Sequence, residues 1–222
     1  WNGALAYEPF WYDLAREGFI CQVLDAVQCI PATDSPCLEI HDWSTQSSGK
    51  ALTTDQTVLS RLRTTFGSRP IGAEVPVSKT FHQSRSLLDG ILDSLHKKSA
   101  AITWLGQTRD WQLYLASIQD IHRAGHNLWP AEGEFASDVD SEALLTAYQA
   151  LDKEIENISN ALVEENTHLI LFTLNGMSSN RAQNHLLPQI VSRLYMLYTR
   201  GVIQHGVCEK RRGVFARVRD TI

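Results

Sequence analysis

The alternation of apolar and polar positions along the chain predicts a repeating order of helices and strands. Residues Pro9 to Gly18 are typical of a helix of about two turns, with proline near its first turn and glycine just past its end. The apolar run from Phe19 to Asp25 follows and is typical of a strand that ends in an acid. A helix followed by a strand indicates half of an α/β unit.

Longer elements are predicted downstream. Apolar residues at helical spacing predict helices from Phe81 to about Gly106 and from Leu144 to Leu162. Strands are expected at Trp111 to Ile118 and at His168 to Leu174, and a last helix is expected over Asn184 to Tyr198. Because the strand from Trp111 is apolar on both faces, we expect it to be central in the sheet and covered by helices.

This order of elements predicts an α/β fold. Strands that alternate with long helices form a mostly parallel sheet covered by helices on both faces, with right-handed crossovers. We expect one partial domain over residues 1–222. Proline, glycine and serine make residues 27–80 a loop-rich segment, apart from a short helix near Thr54 to Phe66. Ligands of such sheets bind beyond the carboxyl ends of the strands.

Composition narrows the class of protein. The 222 residues are 43% hydrophobic with a net charge of −5, which excludes a disordered or fibrous chain and argues against a nucleic-acid-binding domain. No apolar run approaches the roughly 20 residues that a membrane span needs. Neither the compartment nor the oligomeric state can be derived from the sequence.

The four cysteines match no metal or redox spacing. Cys21, Cys29, Cys37 and Cys208 are expected to be buried, unpaired thiols. A disulfide among the first three is the alternative if the compartment is oxidising.

The strand from Trp111 runs into a segment with an acid and two imidazoles. Asp120, His122 and His126 lie within seven residues. Two histidines with three residues between them can reach one cation if the segment is helical, and imidazole suits zinc and similar divalent metals. The alternative is structural, with one histidine buried and hydrogen-bonded and the other facing solvent.

Two weaker candidate sites lie in predicted loops. Asn175 belongs to a turn rich in hydrogen-bonding groups that follows the strand from His168, and a tight turn at Gly176 is the plainer interpretation. His41 lies beside Asp42 and Trp43 and could contact a substrate, although such a tryptophan usually packs a loop onto a core. His205 could add a third imidazole, a suggestion that rests on residue type alone.

Several of these segments occur in an order that resembles the alkaline phosphatase superfamily, and its type I phosphodiesterase and nucleotide pyrophosphatase branch in particular, a group akin to the sulfatases. The similarity spans nearly the whole chain. The segments that carry it are Pro9-Phe10-Trp11, His41-Asp42-Trp43, Asp120-x-His122-x-x-Gly125-His126-x-x-Trp129, Tyr148-x-x-Leu151-Asp152, and Gly176-Met177 followed by Asn180 and Leu186-Leu187-Pro188.

The resemblance implies a fold, a reaction and a cofactor. Members of the superfamily hold two divalent metals, commonly zinc, and use a threonine or serine nucleophile on small-molecule phosphate or sulfate esters. By position, His122 and His126 would be metal ligands, with His122 in place of the usual aspartate. Asp120 would be a further ligand or an acceptor that orients an imidazole.

The chain departs from the family pattern at two places. Leu174-Asn175-Gly176 stands where the family has an Asp-His-Gly metal motif, so the two-metal site is expected to be incomplete. The family's nucleophile normally lies upstream of the segment that begins at Trp1. We therefore expect a fragment without its nucleophile, and no catalytic residue is assigned.

Three functions remain open from the sequence. The first is a metal-dependent hydrolase of phosphodiesters or sulfate esters, which His122 and His126 favour. The second is a catalytically degenerate member that binds a ligand or partner, which Asn175 favours. The third is an unrelated α/β binding domain.

Overall fold

The computed structural model describes residues 8–27, 29–32, 34–45, 49–71, 81–129, 142–174, 176 and 186–199. The chain divides into two compact units, Trp1–Asn180 and Arg181–Ile222. Within the described residues the first unit holds all elements except the last helix. The elements, in chain order, are α1 (Phe10–Arg16), β1 (Cys21–Leu24), β2 (Leu38–His41), β3 (Leu52–Thr53), α2 (Gln56–Phe66), α3 (Phe81–Thr108), β4 (Leu113–Ala116), α4 (Asp120–Leu128), α5 (Ala143–Leu162) and α6 (Leu187–Thr199).

The four strands form one mixed sheet in the order β3-β2-β1-β4. Strand β1 pairs in parallel with β2 and with β4, and its Leu24 lies opposite both Ile40 and Ala116. The short β3 pairs antiparallel with β2. Three carboxyl ends of parallel strands therefore meet at one edge of the sheet.

Helices cover both faces of this sheet. On one face, α2 and α3 pack Leu59, Leu62 and Leu105 against Leu24 and Ile40 of the strands. On the other face, α1 contributes Trp11 and Tyr12 to a cluster with Cys21, Val23 and Cys37. The α/β fold class expected from the sequence is thereby confirmed.

Helices α3, α4 and α5 form a second cluster beside the sheet. Ile91 and Leu95 of α3 are buried with Ala124 and Leu128 of α4 and with Ala147 of α5. Small residues on α4 and α5 let the three helices approach closely. This packing fixes α4 directly after the carboxyl end of β4.

Two strands lie in the segment that was expected to consist of loops around one helix. Strand β2 is fully buried although it carries the polar residues Glu39 and His41. Their polarity hides the strand from a hydrophobicity pattern, and β3 has only two residues. The helix expected near Thr54 to Phe66 is present as α2, and Asp55 caps its first turn by accepting from the amides of Thr57 and Val58.

The expectation of a central β4 is wrong. Within the described chain β4 pairs only with β1, and its four residues are half-buried. Its apolar side chains instead face helices: Tyr114 and Ala116 pack against the α2–α3 cluster, and Leu113 and Leu115 pack against the α1 cluster. The apolar residues on both faces of β4 indicate that helices cover both faces, but they do not indicate the position of β4 in the sheet.

The strand expected at His168 to Leu174 is also not formed. The segment is irregular and exposed, with Ile170 at 77% and Phe172 at 67% of full accessibility. A strand exists only when its backbone pairs with a neighbour, which a local apolar pattern cannot guarantee. The helix expected over Asn184 to Tyr198 is present as α6, beginning at Leu187. No helix in the described part of the chain combines the length and apolarity that a bilayer crossing requires.

The prediction of buried, unpaired thiols is confirmed for Cys21 and Cys37, whereas Cys29 is unpaired but not fully buried. Cys21 and Cys37 are buried and Cys29 is half-buried, and all three are free thiols. Burial raises the pKa of Cys37 to about 11, so this thiol stays protonated at neutral pH. Cys208 lies outside the described residues.

Candidate functional site

The carboxyl edge of the sheet carries polar residues after each parallel strand. Asp25 follows β1 and Asp42 follows β2, and both have left-handed backbones, with φ of 60° and 56°. Non-glycine residues rarely adopt this conformation, although aspartate tolerates it better than most. Helix α4 begins four residues after the end of β4. The edge where ligands of parallel sheets bind is therefore built from Asp25, Asp42 and α4.

The two imidazoles of α4 lie side by side on its exposed face. The Nε2 atoms of His122 and His126 are 3.0 Å apart, and the rings meet edge to face at 4.4 Å between centroids. With zinc–nitrogen bonds of about 2.0–2.1 Å, two ligands of a tetrahedral zinc lie about 3.3 Å apart. The pair therefore fits a shared cation with a small adjustment. The same separation also suits a hydrogen bond between the two rings.

The structural alternative for this segment is wrong, since both histidine side chains face solvent and neither is a buried core residue. Their separation by one helical turn places them on one side of α4. The predicted helical spacing, read from the sequence alone, thus gave the correct geometry for these two residues.

Asp120 lies apart from the imidazole pair. Its side chain is fully buried, on the face of α4 that packs into the protein, and among the described residues neither carboxylate oxygen has a hydrogen-bond partner. Burial raises the pKa of this carboxyl, while the Ser94 hydroxyl and the Lys98 ammonium act in the opposite direction. Throughout the described ranges, no third His, Cys, Asp or Glu joins the two imidazoles to complete a metal site. Asn175 and His205 lie outside the described residues.

His41 is part of the buried core of the sheet. Its Nε2 lies 2.9 Å from Oε2 of Glu39, and both side chains are fully buried. Glu39 also accepts hydrogen bonds from the Trp11 indole, at 3.3 Å, and from the Ser35 hydroxyl. Burial by itself raises the pKa of Glu39, but hydrogen bonds from His41, Ser35 and Tyr12 bring it below its usual value. His41 therefore belongs to a hydrogen-bonded pair with Glu39 inside the fold.

Trp43 confirms the expectation of a tryptophan that packs a loop onto a core. It is fully buried, and its indole donates to the Gly67 carbonyl at 3.0 Å. This bond ties the loop after β2 to the end of α2.

Lys98 is a residue of this edge that the sequence reasoning missed. Its ammonium is completely buried, forms an ion pair with Asp25 and lies 5.2 Å from the centre of the Trp43 ring. A signal was present, because Lys98 falls on the apolar stripe of α3, between Leu95 and Ile102. A lysine on a buried stripe indicates a buried anion nearby.

The sheet edge and the imidazole pair belong to an α/β protein in which α4 follows the carboxyl end of β4. The chain belongs to the type I phosphodiesterase / nucleotide pyrophosphatase family, whose model matches residues 1–211. It is thus a member of a family of phosphodiesterase- and pyrophosphatase-type hydrolases, and the resemblance to the alkaline phosphatase superfamily is confirmed. No curated protein and no solved structure matches the chain significantly.

Proposed function

We propose that this protein hydrolyses small-molecule phosphodiesters with the help of a divalent metal held by His122 and His126. Family membership supports a phosphodiester-type substrate. The observation that carries the metal dependence is the 3.0 Å separation of the two Nε2 atoms at the carboxyl edge of the sheet. Two imidazoles favour zinc over magnesium or calcium, which prefer oxygen ligands.

The residues of α4 meet the requirements of a partial metal site. Both imidazoles are exposed, so a cation can approach them from solvent, and the helix holds them on one side. A bound cation would neutralise charge on the ester oxygens. The side chains of this chain would bind and orient that cation, and two imidazoles leave room for further ligands.

The experiment measures zinc content and affinity by mass spectrometry and calorimetry. The wild-type chain should bind zinc at micromolar concentrations, and His126→Ala should reduce the affinity by at least tenfold. His82→Ala is the matched control, because His82 is another exposed helical histidine, on α3. A wild-type chain that binds neither zinc nor manganese would remove the main support for this proposal.

The substrate class is tested with chromogenic esters. Hydrolysis of a bis-nitrophenyl phosphate that depends on zinc and on His126 would support phosphodiester cleavage. Nitrophenyl sulfate tests the sulfate-ester alternative in the same assay. The assay is run on this chain and on the longest natural form of the protein that contains it.

A second candidate function is a degenerate member that binds its ligand without turnover. The inward orientation of Asp120 favours it, because that carboxylate is fully buried on the opposite side of α4 from the imidazoles. Zinc-dependent binding of inorganic phosphate, without hydrolysis by the longest form, would support this alternative over the hydrolase.

A further inference from the structure

A buried cation belongs to the same edge of the sheet as the candidate site and is not one of the proposed metal ligands. Lys98 of α3 is fully buried, as is Asp25, its ion-pair partner at the end of β1. Burial of an ammonium is strongly unfavourable unless it is paired and hydrogen-bonded. Lys98 must therefore be stabilised by what surrounds it, and those groups belong to the carboxyl edge of the sheet.

The first group around Lys98 holds the loop after β2. Asp25 accepts hydrogen bonds from the backbone amides of Trp43, at 2.8 Å, and of Ser44, at 2.9 Å. One carboxylate thus binds the lysine and two successive amides. The Trp43 ring also faces the ammonium, an arrangement that favours a cation.

The second group reaches α4 by two routes. Asp120, in the first turn of α4, is fully buried, and the Lys98 charge opposes the rise in its carboxyl pKa that burial causes. The other route starts at Ser44, whose hydroxyl accepts from the amide of Ile71 at 3.2 Å. The carbonyl of Ile71 in turn accepts from the Arg123 guanidinium, one turn further along α4.

We propose that Lys98 is the positioning residue of the site: its buried ammonium, paired with Asp25, couples the loop after β2 to α4 and thereby sets the orientation of His122 and His126. Asp120 then acts from the buried side of α4 rather than as a metal ligand. Outer residues that orient metal-binding imidazoles typically change metal affinity 10- to 100-fold. This inference rests on the proposed metal binding for its affinity readout only.

The test compares Lys98→Met with Lys97→Met, its neighbour on α3. Lys97 is partly exposed and pairs with Asp93 on the same helix, so its loss should leave the site unchanged. We expect cobalt and zinc to bind Lys98→Met 10- to 100-fold more weakly than wild type, and Lys97→Met within about twofold of it. The visible spectrum of bound cobalt, which reports ligand geometry, should change only in Lys98→Met. Equal affinities and spectra in the two variants would overturn the proposal.

Asp120→Asn separates positioning from ligation, and the hydrogen-exchange measurement described next uses it alone if Lys98→Met fails to fold. If Asp120 acts through Lys98, the double variant with Lys98→Met and Asp120→Asn should bind metal about as tightly as the single variant that has the lower metal affinity. Losses that multiply, together with an altered cobalt spectrum in Asp120→Asn alone, would identify Asp120 as a direct ligand and contradict the proposal.

A metal-free measurement keeps this inference independent of the proposed function. Amide hydrogen exchange of residues 121–128 in the metal-free chain should accelerate at least tenfold in Lys98→Met or Asp120→Asn, while exchange in α1 stays unchanged. If the wild type binds no metal but α4 loses protection, the proposed function fails and the coupling stands. Unchanged protection of α4 would overturn the coupling.

Discussion

Two glycines of α3 allow helix propensity and packing to be measured separately in one helix. A Cβ atom added at Gly106 would lie 2.8 Å from both Cδ atoms of Leu162 on α5 and 3.2 Å from Cε1 of Tyr114 on β4. At Gly90 an added Cβ would meet nothing within 4 Å. The two positions therefore share a helix and differ in their surroundings.

The expected magnitudes follow from this difference. Gly90→Ala should stabilise the protein by about 1 kcal/mol, the difference in helix propensity between the two residues. Gly106→Ala gains the same propensity but incurs an overpacking cost of roughly 1–3 kcal/mol. The Tyr114 ring cannot easily move away, because its hydroxyl donates to the Ile102 carbonyl at 3.0 Å. Gly106→Ala should thus be about 1–3 kcal/mol less stable than Gly90→Ala.

Urea denaturation followed by circular dichroism measures both free energies of unfolding, with equal m-values as the check on two-state behaviour. Adding Leu162→Ala should make the Gly106→Ala substitution favourable, because the two closest atoms are then removed. Equal stabilities of Gly90→Ala and Gly106→Ala, within about 0.5 kcal/mol, would refute the close approach of α3 and α5.

Three further predictions concern the sheet and the helix that follows it. The pKa of Glu39 is lower in the folded chain than its usual value of 4.5, so its charged form adds stability above that pH, and this stability is lost as the pH falls through the folded pKa. Glu39→Gln should therefore weaken the loss of stability at acid pH, measured by urea titrations at several pH values. An unchanged loss in Glu39→Gln would contradict the assignment. Asp55→Ala should lower the stability of the protein by about 1 kcal/mol, because it removes the cap of α2. Asp55→Asn retains a capping oxygen and loses only the ion pair with Arg109, so it should cost less than about half of that. Thermal denaturation measures both losses. Iodoacetamide at neutral pH should label Cys37 at least tenfold more slowly in the native chain than in the urea-unfolded chain, because the thiol is buried and its pKa is about 11. Mass spectrometry measures the labelling of this residue. Similar rates in the two states would show that this side of the sheet opens readily.

The candidate site was predictable from the sequence where its chemistry depends on local spacing. His122 and His126 are one helical turn apart, so the helix itself brings their Nε2 atoms to within 3.0 Å of each other. Asp120 is only two positions from His122, yet it points into the protein, because residues two apart on a helix do not share a face. Its role as a further ligand, or as an acceptor that orients an imidazole, stays a prediction, and its burial on the other side of α4 favours an indirect role.

In the fold, too, elements that depend on a local pattern were predictable, whereas strands that depend on distant partners were not. The periods of α3 and α5 were strong enough to predict both helices, since each must bury one apolar stripe. Strand β2 escaped prediction because it carries two polar side chains, Glu39 and His41, that are buried as a hydrogen-bonded pair. Glu39 also accepts from Trp11 of α1 and from Ser35 in the loop before β2, and a local pattern contains neither contact. The apolar run at His168 to Leu174 predicted a strand, but pairing with a neighbour decides whether a strand forms, and no local pattern contains that information.

The sequence by itself thus determined the α/β class, the helix periods, the family resemblance and the imidazole pair, because each depends on residues close together in the chain. Tertiary structure alone decided the order of the strands, the inward orientation of Asp120 and the burial of Lys98 beside Asp25, which lie 73 residues apart. Burying a charge requires a partner of opposite sign, and only the folded chain brings the two together.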